Sequence, residues 1–124
     1  MNVVDSSGWI EYFVNGGNAN FFNSPIRDTD NLLVPTICLY EVFKRILLQL
    51  GEDEALQVTG IMSLGTVVEL SRDIAIHAAS ISLDLKLAMA DSIILATARA
   101  NNATLWTQDE HFKGLDGVKF IEKK

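Results

Sequence analysis

Short strand-like runs alternate with helix-length segments along the whole chain, and this alternation limits the fold more than any other feature. Asn2 to Asp5 is a β-branched run; after Ser6-Ser7-Gly8, the residues Trp9, Ile10, Phe13 and Val14 fall at helical spacing until Asn15-Gly16-Gly17 stops them. A brief helical piece is expected from Ala19 to Phe22, ending before Pro25. Leu32 to Val34 reads as a strand. Pro35-Thr36 opens a long helix that runs to Gly51, and Glu52-Asp53-Glu54 suits the positive N-terminal end of another reaching about Leu64. Thr66 to Leu70 gives a third strand, and Ser71-Arg72-Asp73 caps a helix carrying Ile74, Ala78, Ile81 and Leu85 on one stripe. Ala90-Asp91-Ser92 starts a further helix that Asn101-Asn102 ends. Ala103 to Thr107 and Val118 to Ile121 are the fourth and fifth strands, the last at an edge. Strands joined through helices cross over and run parallel. The expected fold is α/β: a three-layer α/β/α domain with a mostly parallel, roughly five-stranded sheet, its sites beyond the carboxyl ends of the strands.

No repeat, low-complexity tract or linker interrupts the 124 residues, so a single domain over residues 1–124 is expected. A hydrophobic content of 48% supports a substantial core. The one cysteine, Cys38, lies in an apolar run, which argues against a disulfide framework or a thiolate-rich zinc site and fits a cytoplasmic protein. The start MNVVDSSGW lacks a basic segment followed by an apolar one, and Glu41, Lys44 and Arg45 break the longest apolar stretch before the roughly 18 residues a membrane span needs. Neither a signal peptide nor a membrane segment is expected. Sixteen Asp and Glu against ten Lys and Arg give a formal charge of −6, which at first argues against a nucleic-acid partner.

The placement of the acids changes that reading. Asp5 ends the first strand, Asp109 lies two residues past the fourth, and Asp91 sits at a helix start just ahead of it. Each has an ordinary explanation: Asp5 and Asp91 are good helix N-caps, and Asp109 can cap the DEHF turn. Glu41 is different, because it lies inside a helix whose apolar positions Leu39, Phe43, Ile46, Leu47 and Leu50 take one side. At about 100° per residue, Glu41, Arg45 and Gln49 form a narrow polar stripe, with Ile37, Cys38, Val42 and Leu48 around it. A helix this apolar is either deeply packed or covered by another chain. A carboxylate on it needs a partner: Arg45 is one candidate, and a divalent metal is another. Four converging carboxylates repel one another unless a cation neutralises them. Mg²⁺ or Mn²⁺ suits such oxygen donors, binds phosphate without Lys or Arg, and lowers the pKa of a bound water for attack on phosphorus. The chemistry indicated is metal-assisted phosphodiester hydrolysis. Four of the formal −6 then belong to one site, leaving −2 elsewhere.

The order VVDSS, a Glu in the helix after Pro35, ADSIILATA and LWTQDEHF resembles the PIN-domain ribonucleases, and within them is most similar to the VapC-type toxins of toxin–antitoxin pairs. The likeness spans nearly the whole chain. It implies a PIN-like fold and an endoribonuclease dependent on Mg²⁺ or Mn²⁺, acting as the toxin of a type II, VapBC-like pair. The expected partners are an RNA substrate, a VapB-like antitoxin and a second copy of the chain in a homodimer. Carried over residue by residue, the family's four acids match Asp5, Glu41, Asp91 and Asp109. The metal falls to Asp5, Asp91 and Asp109; Ser6, Ser7 and Thr107 orient the carboxylates. Few basic residues lie near these motifs, and Arg45, Lys86, Arg99 and Lys113 are the candidates for RNA phosphate contacts.

Other residues read as structural. A solvated or capping role is expected for His111 ahead of ligation or proton donation, and His77 flanks the apolar stripe of its helix. Trp9, Tyr12, Phe13, Phe21, Phe22 and Phe43 have the spacing of core or interface rather than of a base-stacking platform. No G-x-G-x-x-G or P-loop pattern supports a nucleotide cofactor. Two alternatives remain: a receiver-like module that takes a phosphoryl group on one Asp, and a non-catalytic binding module whose acids only cap helices. The first would want paired acids at strand one, an Asp after strand three and a Lys after the last; Val67-Val68-Glu69-Leu70-Ser71 offers no such Asp.

Overall fold

A computed structural model describes residues 1–124 and shows five strands and six α-helices. In chain order these are β1 (Asn2–Val4), α1 (Ser6–Phe13), α2 (Ala19–Arg27), β2 (Leu32–Pro35), α3 (Thr36–Leu50), α4 (Glu52–Met62), β3 (Thr66–Val68), α5 (Arg72–Leu85), α6 (Met89–Ala100), β4 (Thr104–Thr107) and β5 (Val118–Phe120). Short 3₁₀ turns occupy Thr29–Asn31 and Glu110–Phe112. The strands form one sheet in the order β3-β2-β1-β4-β5, and every pair is parallel. The sheet is thus wholly rather than mostly parallel, as follows when each connection carries a helix or a long crossing loop.

Val3 and Val4 point to opposite faces of β1 and neither is exposed, so both faces of the sheet are covered and the domain has three layers. β2 is buried at every residue. The most deeply buried helix is α6, where Ser92 through Ala98 are all buried. Trp9 and Phe22 are fully buried, while Tyr12, Phe13, Phe21 and Phe43 pack against the core from its margin. The aromatics are core, as their spacing predicts.

Three local expectations are corrected. First, α2 does not end before Pro25 but runs through it to Arg27. A proline here forgoes only its bond to the carbonyl one turn back, and burial of Phe22, Pro25 and Ile26 holds the helix together. Second, α6 begins at Met89, with extended Ala88 as its cap residue, so Asp91 lies within the first turn instead of capping the helix. Third, the core stripe of α3 is Cys38, Val42 and Ile46, not the Leu39 side. Its outer end leaves Tyr40, Leu47, Leu48 and Leu50 exposed, the last two at 83% and 58%. Of the two readings for this helix, deep packing and cover by another chain, its inner half follows the first and its outer end fits the second.

The chain leaves the centre of the sheet for β2 and β3 on one side, then returns to β4 and β5 on the other. The carboxyl ends of β1 and β4 therefore flank the point where the strand order reverses, the usual position for a ligand crevice in an open parallel sheet.

Two glycines test the packing with opposite signs. A Cβ on Gly8, in α1, would lie 2.5 to 2.8 Å from the buried Phe22 ring and the Val4 methyl, whereas one on Gly60, inside α4, would meet nothing within 4 Å. Gly8→Ala should lower stability by about 1–3 kcal/mol despite the better helix propensity, and Gly60→Ala should raise it by about 0.5–1 kcal/mol. Urea midpoints of the two variants check both signs.

Candidate active site

Asp5 follows the last residue of β1, and its backbone N–H donates to the Trp106 carbonyl at 3.1 Å, which carries the β1–β4 ladder one step further. That step fixes its side chain beside Thr107. Its carboxylate accepts from Ser7 Oγ (2.9 and 3.0 Å), from the Gly8 N–H (3.0 Å) and from Thr107 Oγ1 (3.0 Å). The Gly8 bond makes Asp5 the N-cap of α1 as well. Thr107 Oγ1 also accepts the Asp109 N–H at 2.9 Å, so one hydroxyl links both acids. Asp109 in turn accepts the His111 N–H at 3.0 Å and caps the 3₁₀ turn.

Glu41 comes from α3 and accepts from Ser6 Oγ at 2.7 Å, a contact across 35 residues of sequence. The ion pairs of the structure involve only His111 with Asp91 and Asp109, and Lys113 with Glu122, so the expected alternative partner Arg45 does not pair with Glu41. Asp91, in the first turn of α6, makes no capping bond. The capping explanation therefore covers Asp5 and Asp109 and fails for Asp91, and the ion-pair explanation fails for Glu41.

All four acids line one cavity of ≈ 580 Å³ with Ser6 and Ser7. The polar stripe of α3 faces it whole, with Glu41, Arg45 and Gln49 all in its wall. Thr107 lies just beneath, fully buried, and reaches the cavity through the Asp5 carboxylate. Burial dominates the electrostatics. It pushes the Asp5 carboxyl up to about 7, with Asp109 adding to the rise and the Gly8, Ser7 and Thr107 donors opposing it. Asp91 is also raised, first by burial and then by the charges of Asp109 and Glu41, while His111 opposes the rise.

Among the candidates for RNA contact, only Arg45 lines the cavity. Lys113 is held by Glu122 at 2.6 Å, Arg99 reaches the Asp116 carbonyl at 3.4 Å, and Lys86 ends α5 in a left-handed conformation. Sequence reasoning missed Lys123 and Gln108, which share the wall. Lys123 comes near because buried Asn18 donates to both the Gln108 side chain and the Glu122 carbonyl, each at 2.9 Å. Asn18 stands in an unremarkable N-G-G-N loop, and no local pattern shows a clasp between residues so far apart in sequence. Cys38 is buried, its thiol pushed up by desolvation, and is no nucleophile. His77 is exposed on α5.

The PIN domain family model matches residues 3–118. The chain belongs to the PIN domain family. Its sequence matches no curated protein. Three solved structures illustrate the likeness of this PIN domain to others. A toxin–antitoxin complex from Klebsiella pneumoniae gives a TM-score of 0.79 at 23% identity, covering 96% of both chains. A sarcin–ricin-loop-cleaving toxin from Mycobacterium tuberculosis gives 0.76 at 14%, covering 94% of this chain and 95% of that one. A DNA-bound VapBC from Salmonella typhimurium gives 0.74 at 19%, covering 98% of each. At these identities the likeness is one of fold, and the PIN architecture accounts for the strand order and for the position of the acidic cavity. No helix of this PIN domain is long and apolar enough to cross a membrane.

The raised Asp5 carboxyl has a stability consequence. Its folded value of about 7 stands above its ordinary value of 3.8, so protonated Asp5 contributes stability that is complete below about 3.8 and is lost as pH rises through about 7. Asp5→Asn cannot ionise. In the presence of chelator, the melting temperature of Asp5→Asn relative to wild type should be higher by several degrees at about pH 8 than at about pH 5. A difference independent of pH would assign the titration to another group.

Proposed function

We propose that this PIN domain is a divalent-metal-dependent endoribonuclease, the toxin of a VapBC-like toxin–antitoxin pair. The observation that carries the reading is the convergence of Asp5, Glu41, Asp91 and Asp109 in one cavity without a compensating Lys or Arg ion pair. Such a donor set, all carboxylate oxygen with neutral hydroxyls behind it, fits Mg²⁺ or Mn²⁺. Asp5, Asp91 and Asp109 would hold the ion. An ion held there would supply charge neutralisation for the acids, Lewis acidity toward a phosphate and a lowered pKa for bound water.

The chain's own residues supply the geometry. Ser7, Gly8 and Thr107 hold both oxygens of Asp5, so its orientation is set before any ligand arrives. Ser6 holds one oxygen of Glu41 and leaves the other free to orient the attacking water and accept its proton. Arg45 and Lys123, on the cavity wall, are the cations available to the RNA backbone. Electrostatic attraction to RNA is therefore local, and binding should be weak and strongly salt-dependent.

The toxin reading draws support from solved relatives of the same fold described as toxin–antitoxin complexes or, for the Mycobacterium tuberculosis protein, as a toxin that cleaves the sarcin–ricin loop. The exposed apolar end of α3 supports it too, since Tyr40, Leu47, Leu48 and Leu50 form a surface of the kind that a second copy or an antitoxin would cover. A receiver-like role is not favoured: β1 ends in a single acid, and β3 is followed by Glu69, Leu70 and Ser71 rather than by an Asp. A merely structural role for the acids does not account for their convergence on one cavity, where Asp91 caps no helix and Glu41 pairs with no Lys or Arg.

Expression of the wild type without an antitoxin should arrest growth, and the purified protein should cleave RNA in a chelator-sensitive manner. Asp91→Asn, which disturbs no hydrogen bond of the fold, should lower cleavage roughly hundredfold or more, since the metal's contribution is several kcal/mol. Asp5→Asn should do the same. Equal growth of wild type and Asp5→Asn, with equal chelator-insensitive RNA stability, would sink the proposal.

A further inference from the structure

One group at the cavity mouth is left unexplained by an all-oxygen site. The His111 side chain is 72% exposed and is not packed against the core, yet its Nδ1 stands 3.3 Å from an Asp109 oxygen and 3.6 Å from an Asp91 oxygen. The hydrogen bond between His111 and Asp109 runs through the backbone N–H, at 3.0 Å, and leaves the ring nitrogen between two carboxylates from separate elements, α6 and the loop after β4. One donor atom from each of the three residues lies within 4.8 Å of the others. For bonds of about 2.0–2.2 Å to nitrogen and oxygen, donors at neighbouring tetrahedral or octahedral corners are about 2.8–3.6 Å apart. Both nitrogen–oxygen separations fall in that interval. The same ring nitrogen thus faces both acids, and the cap of the 3₁₀ turn is already made by the Asp109 carboxylate.

We propose that His111 is a metal ligand through Nδ1, joining Asp91 and Asp109 in a mixed nitrogen–oxygen site that prefers a first-row transition cation over Mg²⁺. This rests on the metal-dependent reading of the cavity and sharpens it. Mg²⁺ keeps to oxygen donors and water, whereas imidazole suits Mn²⁺ weakly and Co²⁺ or Zn²⁺ increasingly well. Asp5, buried and held by four hydrogen bonds, stays on the oxygen side of the cavity, and His111 is the nitrogen that tunes the choice of ion.

The test compares wild type with His111→Ala, His111→Gln, Asp91→Asn and, as a control on the chain's other histidine, His77→Ala, all stripped of metal. Calorimetric titration with Mg²⁺, Mn²⁺ and Co²⁺ should show wild type and His77→Ala binding Co²⁺ most tightly and Mg²⁺ least. Both His111 variants should lose tenfold or more in Co²⁺ affinity, a smaller factor in Mn²⁺ affinity and less than twofold in Mg²⁺ affinity. Pulsed electron paramagnetic resonance of the Mn²⁺ form should show nitrogen coupling in wild type that vanishes in both His111 variants. His111 is exposed, so these variants keep the fold, and circular dichroism verifies it. Unchanged Co²⁺ affinity, or nitrogen coupling that survives His111→Ala, overturns the proposal while loss of binding in Asp91→Asn leaves the nuclease reading standing. Full metal binding by Asp91→Asn overturns both.

Discussion

The hydroxyl of Thr107 holds the site together. It donates to the Asp5 carboxylate, accepts the Asp109 N–H, and is itself fixed as the fully buried last residue of β4, the neighbour of the central strand β1. Because β1 and β4 pair in parallel with Val4 beside Trp106, the residues that follow each strand emerge side by side. One register step would move Asp5 away from Thr107 and turn its carboxylate to the other face of the sheet. The geometry of the acids is thus a consequence of strand pairing, and α6 and α3 add Asp91 and Glu41 to a frame already set.

The partners chosen for the acids matter as much as their positions. Asp5 is satisfied by two hydroxyls and an amide, all neutral donors. These orient the carboxylate and recover part of its desolvation cost without cancelling its charge. An arginine or lysine would have stabilised the empty fold more, but it would also have filled the space and neutralised the charge a cation needs. Burial with neutral donors leaves the carboxyl poised at about 7, where cation and proton compete for it. The two cationic side chains on the wall, Arg45 and Lys123, make no ion pair with the acids. Because Asp5, Glu41, Asp91 and Asp109 face one cavity, the formal charge of −6 misleads when read as a property of the whole surface.

Much of this was legible in the sequence because the determinants are local. The β-branched runs, the Ser71 cap and the Gly51 stop each act within a few residues, and they place all five strands and the long helices. The polar stripe of α3 was legible from helical periodicity alone, and it faces the cavity as periodicity requires. What escaped depended on distant parts of the chain. Pro25 looks like a stop until Phe22 and Ile26 are seen to be buried around it. The choice of Cys38, Val42 and Ile46 over the Leu39 side as the core stripe is made by the sheet beneath, where Cys38 Sγ lies 3.8 Å from the Val4 carbonyl. Lys123 reaches the site through the Asn18 clasp, and His111 through the bend that Asp109 caps. Neither leaves a periodic trace.

The three faces of α3 connect these points. Cys38, Val42 and Ile46 are fully buried, Glu41, Arg45 and Gln49 border the acids, and Leu39, Tyr40, Phe43 and Leu47 with Thr59 of α4 line an apolar groove of ≈ 520 Å³. One rigid helix therefore forms a wall of both the acidic cavity and the apolar groove. Shifting it to displace Glu41 would break the 2.7 Å bond to Ser6 and open voids along a stripe with no exposed atoms, which close-packed interiors resist. Whatever occupies the groove would find Glu41 hard to move from there. Control of such a site is less costly in free energy when it works from the cavity side, by presenting a competing charge to the acids, than when it works through the helix that carries one of them.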